Sequence, residues 1–283
     1  MDLITPDWPA PANVRAAMTT RLGGVSAGSY ESLNLGLGGD DPAHVAENRR
    51  RLRAALDLPG EPGWLKQVHG ANVVRLPLAP FAKGGRREAA GGFPQIPPGP
   101  PFAKGGEGLP EADASWTTEP GVVCAVQAAD CLPVLFCDDA GSVVAAAHAG
   151  WRGLAAGVLE ATVRALPVKP SSLMAWLGAA IGPASFEVGA EVRDAFVSRD
   201  AEAATCFLLA PFAKGGRAEG AGGFDSAKYL ADLYALSRQR LASAGVTRVS
   251  GGGHDTVRER ERFFSYRRDG RCGRMAALVW LSR

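Results

Sequence analysis

The chain has 283 residues, 46% of them hydrophobic, and 31 lysines and arginines against 29 aspartates and glutamates leave a net charge of +2. This is the composition of an ordinary globular protein, long enough for one large domain or two small ones. The balanced charge, with no dense basic stripe, argues against a nucleic-acid partner, and no apolar run is long and clean enough to span a bilayer.

The opening MDLITPDWPAP has neither a basic n-region nor an apolar h-region, so it does not read as a secretory signal. Asp41 and Pro42 start a helix that runs to Leu56, with Val45, Leu52 and Leu56 on one face and Pro59-Gly60 as its stop. Val73–Leu76 reads as a short strand. Gly121–Gln127, Leu132–Cys137 and Val143–Ala147 are apolar runs separated by turn signals, hence buried strands. Asp138-Asp139-Ala140-Gly141 makes the last two a hairpin. Gly153–Leu166 is an amphipathic helix stopped by Pro167, and Met174–Ile181 is a buried strand closed by Gly182-Pro183. Asp225–Ala244 is expected to be the longest helix, capped by Asp225 or Ser226 and stopped at Gly245. Arg274–Leu281 is a final strand. Antiparallel runs mixed with separated helices predict an α+β fold rather than a doubly wound parallel sheet.

The hexapeptide PFAKGG occurs at Pro80–Gly85, Pro101–Gly106 and Pro211–Gly216. Its spacing is irregular, so it is no solenoid period. No Lys-Ser or Lys-Thr follows the glycines, which argues against a phosphate loop. Residues 80–109 and 211–223 read as low-complexity insertions in loops of a single domain spanning 1–283. The five cysteines are odd in number and form no CxxC pair, so free thiols in a reducing cytoplasm are expected.

Three short words carry the chemistry: KQVHG at Lys66–Gly70, ADCLP at Ala129–Pro133 and HAGWRG at His148–Gly153. Each holds one soft-metal ligand, His69, Cys131 or His148, and each is placed at the end of an element, where a scaffold presents side chains to a cleft. Two imidazoles and a thiolate make a three-ligand zinc shell with one open position, and copper competes for the same donors. Taken singly, a cysteine in an apolar run is more often a core residue, and a histidine at a strand end a structural one.

These words resemble the YfiH family, also called the laccase-domain or multicopper polyphenol oxidase family, and its purine nucleoside phosphorylase members. The likeness extends to LITPDWPAPANVRAAMTTRLGGVSAGSYESLNLGLGG, LGAAIGPASFEVG and RFFSYRRDGRCGRMAALVWL, nearly the whole chain apart from the PFAKGG segments. The resemblance implies a layered α/β/β/α sandwich with mixed, largely antiparallel sheets, and zinc bound by His69, Cys131 and His148. Departures are His254-Asp255-Thr256 where the family usually has Cys-Thr, Cys272 where it usually has Thr, and Ala184-Ser185-Phe186 in a stretch that often contains cysteine.

The resemblance also implies phosphorolysis of adenosine, inosine, guanosine and 5′-methylthioadenosine, with hydrolytic deamination of adenosine as a second activity. Neither candidate histidine stands in an HxE motif, so Asp130 is the candidate proton carrier or orienter. A phosphate dianion calls for arginine: Arg267 and Arg268 in SYRRDG and Arg152 in HAGWRG are candidates, Arg268 preferred, with Arg21, Lys66 and Gln67 behind them. Purine nucleosides and phosphate are the expected partners of a cytoplasmic monomer or homodimer. Alternatives from other classes are a copper-dependent polyphenol oxidase, a cysteine hydrolase editing peptidoglycan precursors with Cys131 as nucleophile, and a non-enzymatic zinc-stabilised module. The chain's four histidines are too few for a conventional multi-copper centre.

Overall fold

The computed structural model describes residues 1–77, 108–210 and 227–282. The PFAKGG segments fall outside the described residues, and so do Asp225 and Ser226. Strands run over Leu3–Ile4 (β1), Val14–Thr19 (β2), Val73–Arg75 (β3), Ala114–Thr117 (β4), Val123–Ala128 (β5), Leu132–Asp138 (β6), Val144–Ala149 (β7), Leu173–Leu177 (β8), Glu187–Val188 (β9), Phe207–Leu209 (β10), Tyr229–Ala231 (β11), Arg248–Gly251 (β12) and Met275–Leu281 (β13). Helices cover Pro42–Leu56 (α1), Trp151–Ala156 (α2), Val158–Ala165 (α3), Ala190–Val197 (α4), Leu233–Ser243 (α5) and Tyr266–Asp269 (α6).

Alternation along the strands builds the layers, because successive side chains point to opposite faces. In β13, Met275, Ala277, Val279 and Leu281 join Leu135, Cys137, Val144, Ala146, Met174 and Trp176 in one core. Ala276, Leu278 and Trp280 face the other way, onto Leu52 of α1 and onto Leu33, Leu35 and Trp64. The first core lies between a four-stranded sheet, β1-β2-β13-β5, and a six-stranded sheet, β12-β8-β6-β7-β4-β3. The far face of the six-stranded sheet, with Val134, Phe136, Ala145, Ala147 and Leu177, packs on Leu154, Leu159, Val163, Phe196, Leu236 and Leu241 of α2–α5. The result is the expected α+β fold, with helices outside two stacked sheets. Pairing is antiparallel except for β3–β4 and β12–β8. A three-stranded antiparallel sheet, β10-β11-β9, stands apart.

Local chemistry sets the boundaries. Asp41 caps α1 by accepting from Ala43 N, and Pro42 occupies the first turn. The helix ends before Pro59: Asp57 turns left-handed at φ 46°, and Leu58 N donates to Arg53 O. The β6–β7 hairpin closes on Asp138, whose carboxylate accepts from Ser142 N, Ser142 Oγ and Val143 N. The helix expected at Gly153–Leu166 begins two residues earlier at Trp151 and breaks at Gly157, φ 96°, into α2 and α3. The strand expected to reach Ile181 leaves the sheet after Leu177, and Ile181 N donates to Asp130 O. The long helix expected from Asp225 starts only at Leu233. Tyr229–Ala231 pairs into the small sheet instead, and Asp232 caps α5 by accepting from Ala235 N.

Candidate metal centre

The hairpin brings two of the ligands together. Leu132 opposes Ala149 and Pro133 opposes His148, so Cys131, just before β6, lies beside His148 near the end of β7. His148 shares the strand face of Val144 and Ala146, the side between the two sheets. Cys131 follows a bend at Asp130, which has φ 87°. His69 arrives from the turn before β3, itself left-handed at φ 61°. One ligand atom from each of His69, Cys131 and His148 lies within 4.8 Å of the others. The two imidazole rings meet edge to face with centroids 4.9 Å apart.

Asp113, just before β4 and fully buried, organises both histidines. Its carboxylate accepts from Val68 N (3.2 Å), His69 N (2.9 Å) and Gly70 N (2.7 Å), and from His148 Nδ1 (2.9 Å). Burial alone would push this carboxyl up, but the bonds from His148, Gly70 and His69 outweigh it and hold the group below its ordinary value. An ionised carboxylate only accepts, so Nδ1 of His148 carries a proton, and Nε2 is the nitrogen whose lone pair is exposed when the ring is neutral. Sequence reasoning missed Asp113, because nothing in EADAS distinguishes it from any other aspartate.

Two glycines of HAGWRG let the ligands approach. A Cβ on Gly150 would lie 2.5 Å from Cys131 Sγ and 3.5 Å from His69 Cδ2. A Cβ on Gly153 would lie 3.0 Å from Gly70 O and 3.3 Å from His148 O, so α2 packs directly on the His69 turn. Burial would raise the Cys131 thiol, but the adjoining His148 and His69 imidazoles bring it down to about 6. His148 moves the other way: burial would lower it, yet Cys131 and Asp113 raise it to about 9. The pair favours a thiolate beside an imidazolium. That thiolate, an Nε2 lone pair released by loss of one proton, and the His69 imidazole suit zinc or copper. Among the described residues this is the one group of three or more His, Cys, Asp or Glu side chains close enough to hold a metal ion.

The three ligands open into a cavity of about 650 Å³, within the usual range for small-molecule sites. Its walls also carry three arginines, Arg152, Arg267 and Arg274, and three aromatic rings, Trp151, Phe186 and Tyr266. Arg152 stacks over Trp151 at 4.5 Å and Arg267 over Phe186 at 5.4 Å. Gln67 and Gln127 also border the cavity, and the Gln67 side chain clips onto the β5 backbone: its Nε2 donates to Gln127 O, and Gln127 N donates to its Oε1.

The remaining candidates divide. Asp130 borders the cavity, but both its oxygens are engaged, by Thr256 Oγ1 (2.5 Å) and by Arg267 N (2.6 Å). It ties the SYRRDG turn to the Cys131 bend. Arg268, preferred from the sequence, is not among the residues lining the cavity. Its guanidinium donates to the carbonyls of Thr256, Val257 and Phe263 and forms a two-point pair with Asp269. Its neighbour Arg267 faces the cavity instead. Arg21 donates to Glu31 O and Arg260 O, and Lys66 pairs with Glu111. His254 binds Glu259 outside the cavity lining.

A family model described as "Multi-copper polyphenol oxidoreductase laccase" matches residues 15–282. The chain is 49% identical to "Purine nucleoside phosphorylase YfiH" of Escherichia coli (strain K12) over 280 residues, 99% of this chain and 98% of that one. The crystal structure of Neisseria meningitidis protein NMB0706 superposes with a TM-score of 0.80 at 47% identity, covering 100% of both chains. That of YlmD from Geobacillus stearothermophilus gives 0.73 at 30% identity, covering 97% of this chain and 94% of that one.

Proposed function

The chain belongs to the multi-copper polyphenol oxidoreductase laccase family, and on that premise we propose that it is a zinc-dependent purine nucleoside phosphorylase. Its substrates are adenosine, inosine, guanosine and 5′-methylthioadenosine with phosphate, and its second activity is deamination of adenosine. The observation that carries this reading is one cavity that joins the His69, Cys131 and His148 trio to three guanidiniums and three aromatic rings. Phosphorolysis needs a dianion held against C1′ while a flat base departs. Arg152, Arg267 and Arg274 supply the charge. Each guanidinium has five N–H donors, so Arg267 and Arg274 keep spare ones beyond those given to Glu187 O, and to Cys272 O and Gly273 O. Trp151, Phe186 and Tyr266 offer faces for a purine ring. Asp130 holds Arg267 in place through its backbone. Zinc bound by the trio supplies Lewis acidity toward a substrate oxygen or water.

Purified protein of measured metal content, given adenosine and phosphate, tests the reading. Adenine with ribose-1-phosphate is the expected product pair, and inosine reports deamination. A zinc-loaded sample yielding neither overturns it. Oxygen uptake with a phenol by copper-loaded protein would instead favour the oxidase that the family description names.

One observation favours a second reading. Cys131, His148 and Asp113 stand in the order thiolate, imidazole, carboxylate, the arrangement of a cysteine hydrolase. An amidase acting on peptidoglycan precursors would keep turning over after chelation and trap substrate on Cys131, whereas the zinc phosphorylase loses activity with its metal.

A further inference from the structure

Asp113 is placed as no other carboxylate in the described chain. It has 0% exposure, and it receives four donors from two separate segments. Three of them are the consecutive backbone N–H groups of Val68, His69 and Gly70, which curl around the carboxylate as a nest curls around an anion. The fourth is the ring of His148. Asp113 also clasps β7 through its backbone, since His148 N donates to Asp113 O at 2.7 Å. His69 itself sits at φ 61°, a backbone state that side chains other than glycine adopt rarely. Something must hold it there, and the N–H groups on either side of that residue are held by Asp113.

We propose that Asp113 is the positioning residue of the metal centre: one buried carboxylate selects the ligating nitrogen of His148 and fixes the backbone that presents His69. The inference rests on the zinc reading of the trio. It requires the carboxylate's acceptor-only character. An asparagine of the same size has one oxygen and one NH2. The NH2 either opposes the Val68–Gly70 donors or donates to His148 Nδ1, which moves the ring proton to Nε2 and blocks ligation.

The test compares zinc affinities of the full-length wild type, Asp113→Asn and Asp138→Asn by competition with a chromophoric chelator. Asp138 is the control, a carboxylate 3% exposed that serves the β6–β7 turn rather than the ligands. Asp113→Asn is expected to weaken zinc binding about 10- to 100-fold, the usual effect of losing such a partner, while Asp138→Asn leaves it unchanged. Equal affinity in Asp113→Asn and wild type overturns the proposal, and so does an equal loss in both variants, which would be general destabilisation. If Asp113→Asn does not fold, histidine ¹⁵N NMR of the zinc-loaded wild type decides. Nε2 ligation with a protonated Nδ1 on His148 is expected, and Nδ1 ligation overturns it. A wild type that binds no zinc removes the metal reading and the proposal together. A zinc-loaded wild type without phosphorolysis removes the proposed activity and leaves Asp113's role intact.

Discussion

Gly150→Ala is a small change with a calculable effect. Gly150 precedes α2 with φ −61° and ψ 160°, a conformation open to alanine, so backbone strain plays no part. The new methyl would lie 2.5 Å from Cys131 Sγ and 3.3 Å from Cys131 Cβ. Favourable contact begins near 3.5 Å, so the overlap with sulfur is about 1 Å. The backbone has little room to yield, because Leu154 N donates to Gly150 O and the β6–β7 register fixes the preceding residue. The thiolate must therefore rotate away from its partners. Overpacking of this kind costs ~1–3 kcal/mol, and at ~1.4 kcal/mol per tenfold that becomes a loss in zinc affinity of about 5- to 150-fold. Chelator competition measures it. Melting of zinc-loaded and metal-stripped protein localises it, since the loaded form should lose more stability. Gly38→Ala is the control, because a Cβ there meets nothing within 4 Å. A Gly150→Ala protein that binds zinc within about twofold of wild type, under ~0.5 kcal/mol, refutes the packing argument.

Other predictions concern the cavity and the thiol. Arg267→Ala should raise KM for phosphate about tenfold, one lost charge-assisted contact, with little change in melting temperature. Arg268→Ala should instead lower stability by ~1–3 kcal/mol, because three carbonyls and Asp269 lose their donor. Steady-state kinetics and thermal melts of both variants check the pair, and the reverse pattern would show that Arg268 faces the phosphate. Alkylation of Cys131 in metal-stripped protein should rise with pH through about 6, since the imidazoles favour the thiolate against burial. Cys124 and Cys137, pushed up to about 12 by burial, stay unreactive over the same range. His148→Ala should move the Cys131 inflection upward. Mass-spectrometric rates at each cysteine decide it, and an inflection near the ordinary thiol value of 9.0 in wild type would sink the ion-pair assignment.

Local signals were strong where one residue does one job. Asp41-Pro42 starts α1 because its cap is made within two residues. His69, Cys131 and His148 stand at turns and strand ends marked by glycine and proline, but as a ligand set they rest on the resemblance of their three words to the family's. The long helix from Asp225 fails for the opposite reason. The segment Tyr229–Leu236, apolar except for Asp232, suits strand or helix alike; pairing with β9 and β10 takes the part before Asp232, and the cap on Asp232 starts the helix after it. Arg267 and Arg268 are neighbours on one short turn, so spacing cannot say which faces the cavity. The hydrogen bond from Arg267 N to Asp130, remote in sequence, settles it. Asp113 was invisible because its role exists only after β3, β4 and β7 have paired side by side.

The hairpin that carries Cys131 and His148 also makes the centre a sensor of strand alignment. In β7 the histidine alternates with alanines that face the helices. A slip of one residue between β6 and β7 would turn its imidazole toward that outer layer and place Ala147 or Ala149 beside the sulfur. Such a chain could bury nearly as much apolar surface, because alanines flank the histidine on both sides. It would have no second ligand for Cys131 and no ring for Asp113 to hold. On the proposed zinc reading, metal binding would add its free energy only to the correctly aligned chain, and would separate that alignment from a neighbour which hydrophobic packing alone scarcely distinguishes.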